Sequence, residues 1–167
     1  MDKLLESVSL SLESQNWYSA LFMSLSIPDI CAALESGDGK SSREKYIKWF
    51  DANLASIYKK KIGCPKNEHV FLTGADMYAF RCSMLHQFSD DTKSQKKKDK
   101  IGKFRMTVNN GHLNYNCDVT AKEIAGGDVL HIDVPQFCME VLKAAKKWKQ
   151  DKASLLANKK TAYIIEF

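Results

Sequence analysis

The chain has 167 residues, a formal net charge of +5 and a charged fraction of 27%. That length fits one domain, which can bury enough surface to be stable without a disulfide or a metal ion. The longest apolar runs are far shorter than the about 20 residues that cross a bilayer. The N-terminus has no basic region followed by an apolar one. We therefore expect a cytoplasmic protein with no membrane contact.

The cysteines also indicate a reducing compartment. They are odd in number and widely spaced, and no C-x-x-C pair occurs, which argues against a zinc ribbon or a redox motif. We expect reduced side chains, several of which fill the core. The five are Cys31, Cys64, Cys82, Cys117 and Cys138.

The N-terminal third carries the spacing of helices. Apolar residues recur at three- and four-residue steps from Leu4 to Leu25, which predicts one long helix, or two with a break near Ser14. Residues 26–29 contain a serine and a proline, so we predict that a new short helix begins there and ends at residues 36–39. Another apolar stripe predicts a helix over residues 43–58.

The next predicted helix begins after Thr73, with Asp76 in the position of a capping-box acid, and runs to Gln87. It carries apolar residues on two sides. A helix of that kind is central in its fold, so we expect it to pack against the helix at 43–58 and the N-terminal helix. One side has Met77, Phe80 and Met84, and the other has Tyr78, Cys82 and Leu85.

In the C-terminal half, the spacing of apolar residues changes from that of helices to that of strands. Residues 89–100 are polar and lysine-rich, which predicts a mobile loop. Residues 104–108 and 113–117 flank Asn109-Asn110-Gly111, the strongest short-range signal for a β-hairpin. We predict a third strand at 129–132, a long final helix from Asp133 and a terminal strand at 162–165. The fold class is therefore mainly α: a single domain over 1–167, with a helical bundle at about 4–88 and the hairpin and final helix at about 103–152.

Charge is concentrated in one segment. Between Lys93 and Arg105 there are seven basic residues and one acid, and Lys96, Lys97 and Lys98 are consecutive. Two interpretations stay open: a solvated loop, or a contact with the phosphate backbone of RNA.

Several common sites are missing from the sequence. It has no glycine-rich phosphate loop, no H-E-x-x-H and no G-x-S-x-G. A metal site would need His69, His112 or His131 to converge with carboxylates. We expect neither a metal nor a cofactor.

The remaining motif is Arg81-Cys82-Ser83-Met84-Leu85-His86, an R-x-x-x-x-H pattern on the predicted central helix. The stretch from Tyr78 to Gln87 resembles the motif helix of the HEPN superfamily (higher eukaryotes and prokaryotes nucleotide-binding domains), and the preceding helices supply a similar bundle. The family's motif has four to six residues between arginine and histidine. Arg105 and His112, with six between them, also match, but they straddle the predicted hairpin turn, not a helix.

The resemblance implies a metal-independent endoribonuclease that leaves 2′,3′-cyclic phosphate ends. Arg81 and His86 would be its catalytic residues, in a site shared between the motif helices of a homodimer. It also implies a defence or toxin–antitoxin setting, with RNA as substrate and an antitoxin-like protein as partner. The chemistry suits the residues, because histidine moves protons near neutral pH and a guanidinium stabilises phosphorane charge.

Two alternatives stay open. The chain could be a non-catalytic nucleotide- or protein-binding helical module on the same fold. It could also be an unrelated helical protein in which Arg81 pairs with Asp51 or Asp76 and His86 caps the helix end. Five residues at about 100° each place Arg81 and His86 about 140° apart around the helix, so the two do not share one face.

Overall fold

The computed structural model describes residues 1–62, 67–92, 101–108, 114–116, 128–157 and 159. The mainly α fold class with a small β-hairpin is confirmed. The helices are α1 (Asp2–Glu13), α2 (Trp17–Glu35), α3 (Arg43–Asn53), α4 (Gly74–Gln87), α5 (Val134–Asp151) and α6 (Ala153–Ala157). The strands are β1 (Lys59–Ile62), β2 (Asn67–Val70), β3 (Ile101–Thr107), β4 (Asn114–Asn116) and β5 (Asp128–Asp133).

The N-terminal helices break where the sequence predicts. Helix α1 ends at Glu13, and the side chain of Asn16 caps α2 by accepting a hydrogen bond from the Ser19 amide at 3.3 Å. The predicted restart at residues 26–29 is wrong, because α2 continues through Pro28. Proline removes one helical hydrogen bond. However, α2 packs against α1, α3 and α5, and this burial outweighs the local signal.

The helix predicted over 43–58 is shorter than expected. Helix α3 ends at Asn53, a 3₁₀ turn follows at Ala55–Tyr58, and β1 pairs antiparallel with β2 in a hairpin that the sequence did not predict. Tyr58 is buried, and its hydroxyl donates to Glu140 on α5 at 2.8 Å. This contact fixes the direction in which the chain leaves the helix.

The C-terminal sheet has the order β3-β5-β4. Strands form near both predicted segments and at the predicted third one, but the predicted pairing of the first two with each other is wrong. Strand β5 lies between them, parallel to β3 and antiparallel to β4. Its Leu130 and Ile132 are buried, so burial of the most apolar strand decides the pairing. The Asn-Gly turn itself lies outside the described residues.

Helix α4 has the predicted bounds and packs against α3 and α2. The hydroxyl oxygen of Thr73 accepts from the Asp76 amide at 3.2 Å, and the buried Asp76 carboxylate accepts from the Ile101 amide at 3.0 Å, which ties α4 to β3. Gly74 lets α4 approach α3: a Cβ at this position would lie 2.9 Å from the backbone oxygen of Ile47.

Three cysteines lie in the described part of the chain, and none forms a disulfide. Cys31 and Cys138 are buried, as predicted for core residues, and burial raises the pKa of Cys138 to about 11. Cys64, Cys117 and the predicted terminal strand at 162–165 lie outside the described residues.

Candidate active site

The second side of α4 opens to solvent. Met77, Phe80 and Met84 are buried as expected, but Tyr78, Arg81, Cys82 and Leu85 are only half-buried, and His86 is exposed. The predicted packing of α4 against the helix at 43–58 is confirmed, while its second side is only partly covered. The Arg81–His86 pair lies on this partly open side.

Arg81 is held by an acid from another helix. Its Nη2 lies 2.8 Å from Oδ2 of Asp29 on α2, and the two side chains are 21% and 19% exposed. The other oxygen of Asp29 accepts a hydrogen bond from Ser41 Oγ at 2.8 Å. Both charged groups of this ion pair have little access to water, so the pair fixes the position of the guanidinium.

Asp29 is not one of the acids expected as partner of Arg81. Asp51 instead accepts from the Gly74 amide at 3.1 Å, and Asp76 accepts from Ile101. The sequence does contain one signal that points to Asp29. It is a charged residue on an otherwise apolar helix, where a carboxylate needs a partner.

Arg81 and His86 meet within one chain. Nη1 of Arg81 lies 3.2 Å from Nε2 of His86. Their Cα positions are about 140° apart around α4, but the arginine side chain is long enough to close that angle on the open side. The two side chains are therefore in contact within one chain, although they do not start from one face of the helix.

The guanidinium of Arg81 also contacts an aromatic ring. The guanidinium carbons of Arg81 and Arg43 lie 6.0 and 5.9 Å from the centre of the Tyr78 ring, within range of a cation–π contact. Partial burial, the largest single effect, lowers the pKa of Arg81, but the Asp29 carboxylate, Cys82 and Tyr46 together outweigh it, and the pKa is raised. Arg81 is thus a permanent positive charge beside the imidazole of His86.

The other predicted site residues are not described by the structure. Lys96, Lys97 and Lys98 lie outside the described residues, as does His112. Among the residues that the structure describes, no three His, Cys, Asp or Glu side chains lie close enough to hold a metal ion. One described helix, α2, is long and apolar enough to cross a membrane, and eight of its residues are buried in the fold.

Comparisons of the chain with protein-family models, curated protein sequences and solved structures find no significant match. The HEPN resemblance therefore rests on the residues of this sequence, and the function is argued from the site itself.

The ion pair predicts a measurable effect of the Asp29→Asn substitution. Asparagine can keep the hydrogen bond from Ser41 but removes the charge opposite Arg81. We expect the free energy of unfolding to fall by about 1–3 kcal/mol, as for lost hydrogen bonds to charged groups with little solvent access. Urea denaturation measures this.

The matched control is Glu6→Gln, which breaks an exposed pair with Lys3 at 3.2 Å. That change should cost less than about 0.5 kcal/mol. Equal, small effects of the two substitutions would mean that Asp29 does not hold Arg81.

Proposed function

We propose that the protein is a metal-independent endoribonuclease of the HEPN type that cleaves RNA to 2′,3′-cyclic phosphate ends. The observation that carries the proposal is the 3.2 Å contact between Arg81 and His86 on the open side of α4. A fixed cation and a proton-transfer group in contact are the two elements that cleavage by a neighbouring 2′-hydroxyl requires.

His86 acts as the general base. A guanidinium can only donate hydrogen bonds, so the contact assigns the acceptor role to Nε2 of a neutral imidazole. When RNA binds, a phosphate oxygen replaces Nε2 as the acceptor of that Arg81 N–H. The freed lone pair of Nε2 then takes the proton of the 2′-hydroxyl while the 2′-oxygen bonds to phosphorus and the 5′-oxygen leaves. The leaving 5′-oxygen takes its proton from water.

Arg81 stabilises the charge on the phosphorane. Asp29 lies against Nη2 and Nε is buried, so the donor of Arg81 that a phosphate can reach is Nη1, which faces His86 on the exposed side. A phosphate oxygen that enters beside His86 therefore meets a donor that is already fixed. Because the ion pair with Asp29 fixes the guanidinium before RNA binds, the site needs little reorganisation when negative charge develops on the phosphorane.

The proposal includes a homodimer, a cytoplasmic location and a defence or toxin–antitoxin setting with an antitoxin-like partner. The homodimer, the setting and the partner come from the resemblance of residues 81–86 to the HEPN motif, and the cytoplasmic location comes from the composition and cysteine pattern of the sequence.

The test is incubation of RNA with the purified protein in EDTA, followed by mass spectrometry of the RNA ends. We expect cleavage with 2′,3′-cyclic phosphate ends. Cleavage only after a divalent metal is added would refute the mechanism.

A second function has one observation in its favour. The Arg81–Asp29 pair satisfies part of the guanidinium within the chain, which suits a binding module whose arginine is structural. If the wild-type protein cuts no RNA but a nucleotide raises its Tm, the binding module is correct.

The basic segment gives a separate prediction for RNA affinity. Replacing Lys96, Lys97 and Lys98 with serine should weaken RNA binding and flatten its salt dependence. Each lost phosphate contact should reduce the slope of log K against log salt by about 0.7 to 0.9. The measurement is a titration of labelled RNA at several salt concentrations.

The control replaces Lys59, Lys60 and Lys61, three consecutive exposed lysines on β1. Equal losses in the two triple variants would indicate a general charge effect. An unchanged slope in the first would assign Lys96–Lys98 to a solvated loop.

A further inference from the structure

Three aromatic rings meet where α4 ends beside the start of α2. The ring centre of Phe88 lies 5.7 Å from that of Tyr18 and 6.1 Å from that of Phe22. Tyr18 is 63% exposed and Phe88 is 67% exposed. We call Tyr18, Phe22 and Phe88 the aromatic pad. Two of its rings face water, where large apolar side chains gain no burial energy.

Phe88 also occupies an unfavourable backbone position. It follows the last residue of α4 with φ 50° and ψ 44°, a left-handed conformation. Its amide donates to Met84 and that of Ser89 to Ser83, which closes the helix end. Glycine is favoured at such a C-cap because it has no Cβ, and a bulky residue there is strained. Helix capping therefore does not account for a phenylalanine at this position.

The pad and the catalytic pair lie along the same two helices, α2 and α4. Helices α2 and α4 run antiparallel, since Tyr18 meets Phe88 at one end and Asp29 meets Arg81 at the other. Arg81 and Phe88 are seven residues apart, which corresponds to about 10 Å along the axis of α4. At about 3.4 Å per stacked nucleotide, the pad is within three nucleotides of a phosphate bound at Arg81.

We propose that the aromatic pad stacks an unpaired nucleobase of the RNA whose phosphate is bound at Arg81, so that the substrate is single-stranded RNA. The inference rests on the proposed function. Bases stack on exposed aromatic side chains in most proteins that bind single strands, and stacking tolerates any base. A base within a duplex is already stacked on its neighbours and is not free to reach the pad.

A second copy of this chain fits the pad less well. A stable interface buries about 800 Å² on each partner. Two rings that are about two-thirds exposed supply roughly 300 Å² at most. The pad is thus of the size of a base contact, and its neighbour is a cationic site, as expected for a nucleotide.

The experiment compares RNA binding by His86→Ala protein with and without Phe88→Gly. The first substitution prevents cleavage during the titration, and the second removes the ring while relieving the backbone strain. We expect Phe88→Gly to weaken binding of a labelled single-stranded oligonucleotide by about 5- to 150-fold, with a Tm close to that of the parent. Leu10→Ala removes another exposed apolar side chain, on α1, and should leave affinity unchanged.

Abasic substitutions locate the contact. We remove one base at a time around the cleavage site and expect weaker binding for a single abasic position, within about three nucleotides of that site. In Phe88→Gly protein, the abasic and intact oligonucleotides should bind equally well. Double-stranded RNA should bind the parent weakly and should not respond to Phe88→Gly.

Each other result has a defined meaning. Unchanged affinity of Phe88→Gly for single strands overturns the inference, even if the wild-type protein cleaves RNA. Dissociation of a dimer by Phe88→Gly, seen by light scattering, also overturns it, because a second copy then covers the pad. If the wild-type protein does not cleave RNA but Phe88→Gly still weakens single-strand binding, the pad stands and the proposed catalysis fails.

Discussion

His86→Ala should reduce the rate of RNA cleavage by about 10²–10⁴-fold, the usual contribution of a general acid or base. His86 is exposed, so its removal should change the free energy of unfolding by less than about 0.5 kcal/mol. Single-turnover cleavage in EDTA measures the rate, and circular dichroism and light scattering check that the variant is folded and has the oligomeric state of the wild type.

Arg81→Ala should reduce the rate by a similar amount, about 10²–10³-fold, because it removes donors aimed at the developing charge. Arg81→Lys should restore little of the cleavage rate, since an ammonium group lacks the planar set of donors that lets a guanidinium contact both Asp29 and a phosphate. Asp29 keeps its hydrogen bond from Ser41 in these variants, which favours a folded protein.

The matched control for charge is Arg105→Ala, an exposed arginine on β3, which should leave the rate unchanged. If His86→Ala unfolds the protein, His86 has a structural role at the helix end. If Arg81→Ala and Arg105→Ala lose the same activity, Arg81 acts only through the overall charge.

Phe80→Ala should have the largest effect on stability. Phe80 is fully buried, and its ring stacks on that of Phe104 with centres 4.3 Å apart, joining α4 to β3. Truncation leaves a cavity that close-packed neighbours fill only in part, so the free energy of unfolding should fall by about 3–5 kcal/mol. Guanidinium denaturation measures the loss.

Met139→Ala on α5 is the comparison for Phe80→Ala, because Met139 is an exposed large apolar residue. It should shift the free energy of unfolding by less than about 0.5 kcal/mol. Similar values for the two variants would contradict the assignment of Phe80 to the junction between α4 and β3.

The sequence alone determined the features that depend on near neighbours in the chain. The bounds of α4 follow from the Thr73 cap and from apolar spacing over fourteen residues. The break between α1 and α2 and the start of α5 follow from similar local signals. The choice of Arg81 and His86 as the candidate pair also needed only their spacing on one helix.

Tertiary structure decided what depends on residues far apart in the chain. Packing carries α2 through Pro28, and β5 separates two strands that an Asn-Gly signal would pair. Asp29 becomes the partner of Arg81 because α2 and α4 run antiparallel, and the same arrangement brings Tyr18 to Phe88. The spacing of apolar residues indicates which side of a helix is apolar. It does not indicate which helix packs against that side, because burial energy depends on the neighbours that the whole fold supplies.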